Sequence, residues 1–323
     1  MSANHPGDGF DPGAALDLPD LPVNSKPIGI FDSGLGGLTV ARAIASRLPA
    51  EAIYYVGDTK RCPYGTREQS EVRLFVRQVG RWLENHDVKL VVIACNTATA
   101  AGLDVIQRAL SVPVIGVIEP GARAAIQATR TRRVGVLATS GTVASGAYAR
   151  AIHNLDAGVR VTQAAAGSFV DYVERELASG THLHEDWMES RGVFDTPEVR
   201  ELAARNVEPL LGRGIDTVVL GCTHFPLLAR EIGAALGPDV RTVSSAEETA
   251  REVAEILARR DELATPAAAD LGAGGEPKYR FATTSDDITS FAVAGKFIFG
   301  HPIDSVEHID LDTLGALADD PVE

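Results

Sequence analysis

Two cysteines of this chain occur in matching sequence contexts. The segments Val91–Thr97 (VVIACNT) and Val218–His224 (VVLGCTH) each run from an apolar stretch through a cysteine into polar side chains. A cysteine at a helix N-terminus has a lowered pKa, which makes a thiolate accessible near neutral pH. The matched contexts therefore predict that Cys95 and Cys222 do acid, base or nucleophilic chemistry, rather than filling the core as small apolar residues.

Polar turns follow several apolar runs, and in open α/β sheets ligands bind at the carboxyl ends of strands. The turns are Asp32-Ser33-Gly34, Cys62-Pro63-Tyr64-Gly65, Cys95-Asn96-Thr97, Thr139-Ser140-Gly141-Thr142 and Cys222-Thr223-His224. Helical patterns follow several of them, so N–H groups at helix N-termini and Ser or Thr hydroxyls would point into one space. Such a site suits a carboxylate ligand. We interpret the remaining cysteine, Cys62, as a small buried residue.

Asp32 and His224 are the titratable residues placed to assist the thiols. If both face one cleft, His224 can exchange a proton with its neighbouring cysteine, and Asp32 can act electrostatically or contact a substrate ammonium. The alternatives are that Asp32 caps its own turn and that His224 is a packed histidine. Spacing alone assigns no role to Glu174. On that basis we interpret it as a charged residue on the exposed face of a helix.

The glycine-rich turn Gly34–Gly37 (GLGG) lacks a nucleotide-binding pattern. It does not have the G-x-G-x-x-G spacing, and no Gly-Lys-Ser/Thr follows it. A close approach of the backbone to a ligand explains these glycines better. The chain also has no CxxC and no clustered Cys/His pattern of zinc-site spacing. We therefore predict neither a metal nor a cofactor.

Composition limits the partners and the compartment. The 323 residues carry a net charge of −14, which argues against nucleic acid and anionic membranes as partners. An anionic substrate would therefore need a locally positive pocket. The first 25 residues show no signal-peptide pattern, and no apolar run reaches the roughly 20 residues that span a bilayer. Three cysteines form a poor disulfide framework, which favours a cytoplasmic location.

Short apolar runs alternate with amphipathic segments from Pro27 onward, which predicts an α/β fold with a mostly parallel sheet. The segment Thr66–Asn85 has the helical spacing of apolar residues. Similarity between the two cysteine segments, and between Gly29–Gly34 and Gly135–Gly141, favours a duplicated lobe. The alternative is that all strand–turn–helix units look alike. The predicted strands are Ile28–Phe31, Ile53–Val56, Leu90–Ala94, Val112–Val117, Val134–Ala138, Val159–Val161, Thr217–Leu220 and Val240–Val243.

With these motifs in place, the chain closely resembles the glutamate racemases of the aspartate/glutamate racemase superfamily. The resemblance spreads over about residues 27–260 and departs at Ala164–Gly167, where many relatives have a Cys-Pro pair. The matching segments are Gly29–Val40 (GIFDSGLGGLTV), Tyr54–Gly65 (YYVGDTKRCPYG), Val91–Ala101 (VVIACNTATAA), Val112–Gly121 (VPVIGVIEPG), Val134–Ser145 (VGVLATSGTVAS) and Asp216–Leu228 (DTVVLGCTHFPLL).

The resemblance implies two pseudo-symmetric lobes with the active site in the cleft between them. It also implies interconversion of L- and D-glutamate without pyridoxal phosphate, which supplies D-glutamate for peptidoglycan. Glutamate and a second copy of the chain, in a homodimer, are the implied partners. Cys95 and Cys222 match the catalytic thiols, Asp32 and His224 match assisting residues, and Glu174 matches a further assisting carboxylate. The implied substrate-binding residues are Asp32, Ser33, Tyr64, Gly65, Asn96, Thr97, Thr142, Thr223 and His224.

The family resemblance and the pattern of strands and helices also predict the domain organisation. Residues 1–26 form a disordered N-terminal extension, residues 27–118 with 226–260 form the first lobe, and residues 119–225 form the second. Residues 261–323 form a linker and a small C-terminal appendage with strand-like runs, one of them around Phe297–Phe299. The loop Ser179–Pro197 is longer than in the family.

Three other functions remain open at this point. A cysteine hydrolase or acyltransferase could use Cys222, His224 and Asp32 as nucleophile, base and orienting group, but it would leave Cys95 unexplained. A non-catalytic binding protein would leave both thiols unexplained. An aspartate racemase is the third alternative, because these motifs do not indicate the length of the substrate side chain.

Overall fold

The computed structural model describes residues 23–179, 194–265 and 278–317. The predicted disordered extension lies outside them except for its end, where Val23–Ser25 form a 3-10 turn. Lys26 Nζ lies 2.6 Å from Asp87 Oδ1, so Lys26, which was predicted to belong to the extension, contacts the folded chain. Most of the long loop Ser179–Pro197 and of the linker also lies outside the described residues.

Two parallel sheets form the framework of the described chain. The predicted strands are confirmed as elements, with ends that differ by a few residues, and most are buried along their whole length because helices cover both faces. The strands are β1 Ile28–Asp32, β2 Ile53–Gly57, β3 Leu90–Ile93, β4 Val114–Gly116, β5 Arg133–Ala138, β6 Arg160–Ala165, β7 Thr217–Gly221, β8 Arg241–Val243, β9 Tyr279–Thr283 and β10 Glu307–His308.

The strand order repeats between the two sheets. The first sheet contains β2-β1-β3-β4 and the second is β6-β5-β7-β8, all in parallel pairs. β1 is therefore equivalent to β5, and β3 to β7. This order confirms the two pseudo-symmetric lobes, and it places Cys95 after β3 and Cys222 after the equivalent strand β7.

Helices pack on both faces of the sheets. The predicted helix Thr66–Asn85 begins only at Gln69, because Tyr64–Thr66 form a 3-10 turn and Glu68 is extended. Val72, Val76 and the other apolar residues of its stripe are buried, each contributing about 1.5–3 kcal/mol to folding. The described helices are α1 Leu38–Arg47, α2 Gln69–Asn85, α3 Asn96–Ala109, α4 Ile118–Ala128, α5 Ser140–Ser145, α6 Ala147–Leu155, α7 Ser168–Ser179, α8 Pro197–Val207, α9 Ala229–Leu236, α10 Ala246–Arg260, α11 Ile288–Phe299 and α12 Leu311–Ala316.

The C-terminal segment is part of the first lobe rather than an appendage. β9 pairs with β2, and β10 pairs with β9, so both extend the first sheet. The run Phe297–Phe299, predicted to be strand-like, is the end of α11. The buried residues Phe291, Ala294, Gly295 and Ile298 have helical spacing, whereas three consecutive apolar residues alone do not distinguish a helix from a strand.

The lobe boundary also differs from the prediction around β8. Residues 226–260 were assigned to the first lobe, yet β8 pairs with β7 in the second sheet, with Thr217 opposite Arg241. The helix α10, which follows β8, packs against α1 of the first lobe and α4. The segment therefore spans both lobes, with its strand in the second sheet and its helix packed against helices of both.

Candidate active site

The carboxyl ends of the two sheets meet in a cleft between the lobes. β1 ends at Asp32, and Cys95 is the residue that caps the N-terminus of α3. On the other side, Thr139 caps α5, and Thr223 follows β7. Several hydrogen bonds cross the cleft. Among them, the Thr223 hydroxyl donates to Asp32 Oδ1 at 3.3 Å, and the hydroxyls of Thr97 and Thr139 lie 2.9 Å apart.

Cys222 is the first member of a three-residue chain of contacts. Its Sγ lies 3.6 Å from Nδ1 of His224, and Nε2 of His224 lies 2.5 Å from Oε1 of Glu174 on α7. Burial alone would lower the pKa of His224, but the hydrogen bonds to Cys222 and Glu174 and the charge of Glu174 outweigh it. The pKa of His224 therefore lies well above its ordinary value, and an imidazolium is stabilised between a sulfur and a carboxylate.

Cys95 lies in a different environment. Its Sγ accepts the Ala98 backbone N–H at 3.4 Å and lies 3.8 Å from the Ser33 hydroxyl. Burial, reinforced by the charge of Asp32, nevertheless raises the pKa of this thiol well above its ordinary value. The prediction of a lowered pKa was wrong for Cys95, because loss of hydration outweighs a single N-terminal N–H.

The two thiols are close enough to interact electrostatically, since a charge on Cys222 contributes to the raised pKa of Cys95. The site is thus asymmetric. The raised pKa of Cys95 keeps that thiol protonated, whereas Cys222 lies 3.6 Å from an imidazole nitrogen of His224. Similar sequence contexts have therefore produced two different thiol environments on the two sides of the cleft.

Asp32 is fully buried at the floor of the cleft. Its Oδ2 accepts the backbone N–H groups of Gly34 and Gly37, each at 3.1 Å. Burial raises the pKa of Asp32, although the charge of His224 and these two N–H groups act in the opposite direction. The carboxyl group therefore both caps its own turn, as one alternative predicted, and faces the second lobe through Thr223.

A cluster of three threonine hydroxyls lines the other part of the cleft. Thr142 Oγ1 lies 3.3 Å from Thr97 and 3.0 Å from Thr139, and all three side chains are buried. Beside them, Asn96 Oδ1 accepts the Tyr148 hydroxyl at 2.7 Å, while its buried Nδ2 has no partner in the described part of the chain. An unpaired buried amide donor costs stability, so Nδ2 suits an acceptor brought by a ligand.

Thr139 was missed as a site residue, although its motif was noted. Its only sequence signal was its place directly after an apolar strand, a place it shares with Asp32 and both cysteines. Glu174 was indicated by the family resemblance and not by spacing, because its contact with His224 joins residues that are distant in the chain.

Tyr64 and Gly65 reach the cleft through the backbone. The Tyr64 hydroxyl donates to Asp58, and its side chain is buried away from solvent, so it is not a free donor toward a ligand. Gly65 packs closely on the second lobe, since a Cβ at this position would lie 2.7 Å from Thr139 Cβ. The carbonyl of Gly65 accepts the Ser140 hydroxyl at 2.9 Å.

The described part of the chain holds neither a metal-binding cluster nor a helix suited to a membrane. Within residues 23–179, 194–265 and 278–317, no group of three or more His, Cys, Asp or Glu residues could hold a metal ion. Over the same ranges, no helix combines the length and apolarity needed to cross a bilayer.

The fold and the cleft define a class of two-lobed α/β proteins in which each lobe contributes one buried cysteine. The family model described as Asp/Glu/Hydantoin racemase matches residues 28–253, and the chain therefore belongs to this family. This confirms the resemblance found in the sequence.

Within that family the chain is similar to glutamate racemases. The glutamate racemase of Lysinibacillus sphaericus strain C3-41 is 46% identical over 260 residues, which cover 79% of this chain and 92% of that protein. A crystal structure of a glutamate racemase isoform from Bacillus anthracis has a TM-score of 0.76 and 42% identity, covering 88% of this chain and 98% of that one. The Francisella tularensis glutamate racemase in complex with D-glutamate has a TM-score of 0.76 at 30% identity, with 90% and 99% covered.

Proposed function

We propose that this protein interconverts L- and D-glutamate without a cofactor, by proton transfer at the α-carbon between two thiols. The observation that carries the proposal is the placement of Cys95 and Cys222 at equivalent strand ends of two lobes that share one cleft. Inversion requires a base on one face of the α-carbon and an acid on the other, and a duplicated lobe supplies both. The curated relatives support glutamate as the substrate.

In the direction from L to D, Cys222 is the base. His224 holds the proton of Cys222 as an imidazolium beside Glu174, and the thiolate removes the α-proton of L-glutamate. Cys95, whose raised pKa keeps it protonated, delivers a proton to the opposite face. In the reverse direction the roles exchange, with Cys95 acting on D-glutamate. The family resemblance supports this assignment of the thiols to the two enantiomers.

The α-proton beside a carboxylate is far less acidic than a thiol, so the charge that develops must be stabilised. Neutral donors fixed in place before the reaction can do this without reorganisation. Asn96 Nδ2 and the hydroxyls of Thr97, Thr139 and Thr142 are such donors, and we propose that they bind the carboxylates of glutamate. Asp32 is the carboxylate available for the substrate ammonium.

Deuterium incorporation tests the proposal directly. The purified protein is incubated with L-glutamate in deuterated water with no added cofactor, and optical rotation and α-carbon deuterium are followed together. Racemisation with one deuterium gained at the α-carbon of the product is the expected result. No change of rotation with either glutamate or aspartate would contradict the proposal, and turnover of aspartate alone would favour the aspartate racemase.

Substitution of Gly36 tests whether the site needs the tight packing beside Thr223 and His224. An alanine Cβ at this position would lie 2.6 Å from Thr223 Oγ1 and 2.9 Å from His224 Cε1. The His224 ring is held on both sides, so Gly36→Ala must displace it and is expected to lower kcat/KM for glutamate roughly ten- to hundred-fold. Circular dichroism of racemising L-glutamate measures the effect.

Gly233→Ala is the matched control for Gly36→Ala. Gly233 lies in α9, and a Cβ there meets no atom within 4 Å, so activity should be unchanged and the helix slightly more stable. Equal activity of the Gly36→Ala and Gly233→Ala variants would show that the His224 ring does not need its observed position.

The proposed activity has a wider role. We propose that the D-glutamate serves peptidoglycan synthesis, that the protein is cytoplasmic, and that it forms a homodimer. The three cysteines are free in the structure, which suits a reducing compartment. Size-exclusion chromatography with light scattering decides the oligomeric state.

A further inference from the structure

A buried carboxylate holds the loop between β2 and α2, which borders the cleft. Asp58 lies directly after β2 and is fully buried. Its Oδ2 accepts the Arg61 Nε–H at 2.7 Å and the Tyr64 hydroxyl. Burial and the charge of Asp58 raise the pKa of Tyr64 well above its ordinary value, so the phenol keeps its proton and remains a donor. Both ends of the segment 61–64 are therefore tied to one carboxylate.

The other oxygen of Asp58 is bound by the C-terminal part of the chain. The Thr284 hydroxyl donates to Asp58 Oδ1 at 2.9 Å and accepts the Lys60 backbone N–H at 3.0 Å. Thr284 is fully buried and directly follows β9, which pairs with β2 up to Gly57 opposite Thr283. The family model ends at residue 253, so it includes neither Thr284 nor β9.

The loop held by Asp58 touches the second lobe at its next residue. The Gly65 carbonyl accepts the Ser140 hydroxyl at 2.9 Å, and Gly141 is packed so closely that a Cβ there would lie 3.0 Å from the same carbonyl. Thr139, which precedes these two residues, bonds to Thr97 across the cleft. Movement of the loop would therefore move the turn that carries the threonine cluster.

We infer that Asp58, oriented by the Thr284 hydroxyl, is a positioning residue for the racemase site, and that β9 belongs to the scaffold of that site. The inference rests on the proposed function. Neither side chain touches the cleft: Asp58 acts through Tyr64 and Gly65, and these act through the turn at Thr139. The interaction joins β9, which lies outside the strand order that the two lobes share, to the contact between the lobes.

Removal of the Thr284 hydroxyl is a small change that disturbs the hydrogen bonds of Asp58. Thr284→Val keeps the shape of the side chain but leaves one oxygen of a buried carboxylate without its donor and the Lys60 N–H without its acceptor. A lost hydrogen bond of this kind is worth about ten-fold in an equilibrium. Thr284→Ser restores the hydroxyl. Thr249→Val is the matched control, because Thr249 is equally buried and its hydroxyl has no partner in the described part of the chain.

The test measures two quantities for the full-length protein and these three variants. One is kcat/KM for glutamate in both directions, and the other is amide hydrogen exchange of the peptide covering residues 59–66. Thr284→Val is expected to lower kcat/KM about ten-fold, mostly through KM, and to speed exchange in this peptide. Thr284→Ser and Thr249→Val are expected to stay within about two-fold of the original protein on the same scale.

Two outcomes would overturn the inference. Unchanged exchange in residues 59–66 of Thr284→Val would show that the hydroxyl does not hold the loop. Faster exchange with unchanged kcat/KM would show that the site does not need the loop in its observed position. If the unmodified protein does not racemise glutamate at all, the proposed function fails separately, and the exchange data still decide whether Thr284 holds the loop.

Discussion

Replacement of Cys95 or of Cys222 by alanine is expected to lower kcat/KM for glutamate by about a thousand-fold or more in both directions. Each variant removes either the base or the acid of a two-base transfer, and the remaining thiol reaches only one face of the α-carbon. Because the two enantiomers have equal free energies in water, any variant must lower kcat/KM by the same factor in each direction. Polarimetry or circular dichroism with each pure enantiomer measures both.

The third cysteine provides the matched control. Cys62 Sγ lies 4.0 Å from Glu174 Oε1, so this thiol is near the cleft, but neither its spacing nor its contacts assign it a proton to transfer. Cys62→Ala should keep activity within about an order of magnitude, which separates loss of a reacting group from a packing change.

Single-thiol variants also reveal which enantiomer each cysteine serves. In deuterated water, Cys95→Ala should exchange the α-proton of L-glutamate through Cys222 without inverting it, and Cys222→Ala should do the same for D-glutamate. The opposite pairing would reverse the proposed assignment. A hydrolase built on Cys222, His224 and Asp32 would instead keep its full activity in Cys95→Ala, and that outcome would contradict the two-thiol mechanism.

Much of the framework could be predicted because parallel strands covered on both faces have a local signature. An unbroken apolar run such as Leu90–Ile93 identifies its own strand, and the polar turn after it identifies the carboxyl end. The pairing of β9 with β2 has no such signature. It pairs Tyr279 with Ile53, which are far apart in the sequence. Neither segment contains a local pattern that predicts which strand it pairs with.

The same contrast holds within the site. Cys95, Cys222 and Asp32 were predicted correctly to lie at strand ends, because that placement depends only on neighbouring residues. The pKa values in the site depend on the assembled lobes: contacts with Cys222 and Glu174 outweigh burial and raise the pKa of His224, and burial rather than helix position raises that of Cys95. Residue types and spacing indicate which groups can react, whereas the assembled lobes decide which of them begin with the proton.

His224→Asn is expected to produce the second large effect, lowering kcat/KM about a hundred- to a thousand-fold. The variant loses the contacts of the ring with Cys222 and Glu174, so the thiol has no group to take its proton. His153→Asn is the control, since His153 is an exposed histidine on α6 outside the cleft. Activity of His224→Asn equal to that of the control would remove His224 from the mechanism.

Glu174→Gln tests the electrostatic part of this prediction. Without the carboxylate, two of the causes that raise the pKa of His224 disappear, so the imidazolium is lost at a lower pH. The alkaline limb of the kcat/KM profile should therefore move to lower pH, while activity on the acid side of that limb changes less. An unmoved limb would mean that Glu174 only orients the ring.

The ion pair between His224 and Glu174 should also make the free energy of unfolding depend on pH. A histidine whose pKa is raised on folding stabilises the folded state fully below its unfolded pKa, near 6.5, and loses this contribution as the pH rises through the raised value. Glu174→Gln should therefore lower the free energy of unfolding most at about pH 6 and progressively less at higher pH. Urea unfolding across this range measures it, and a deficit that grows with pH would contradict the imidazolium on which the proposed role of Cys222 depends.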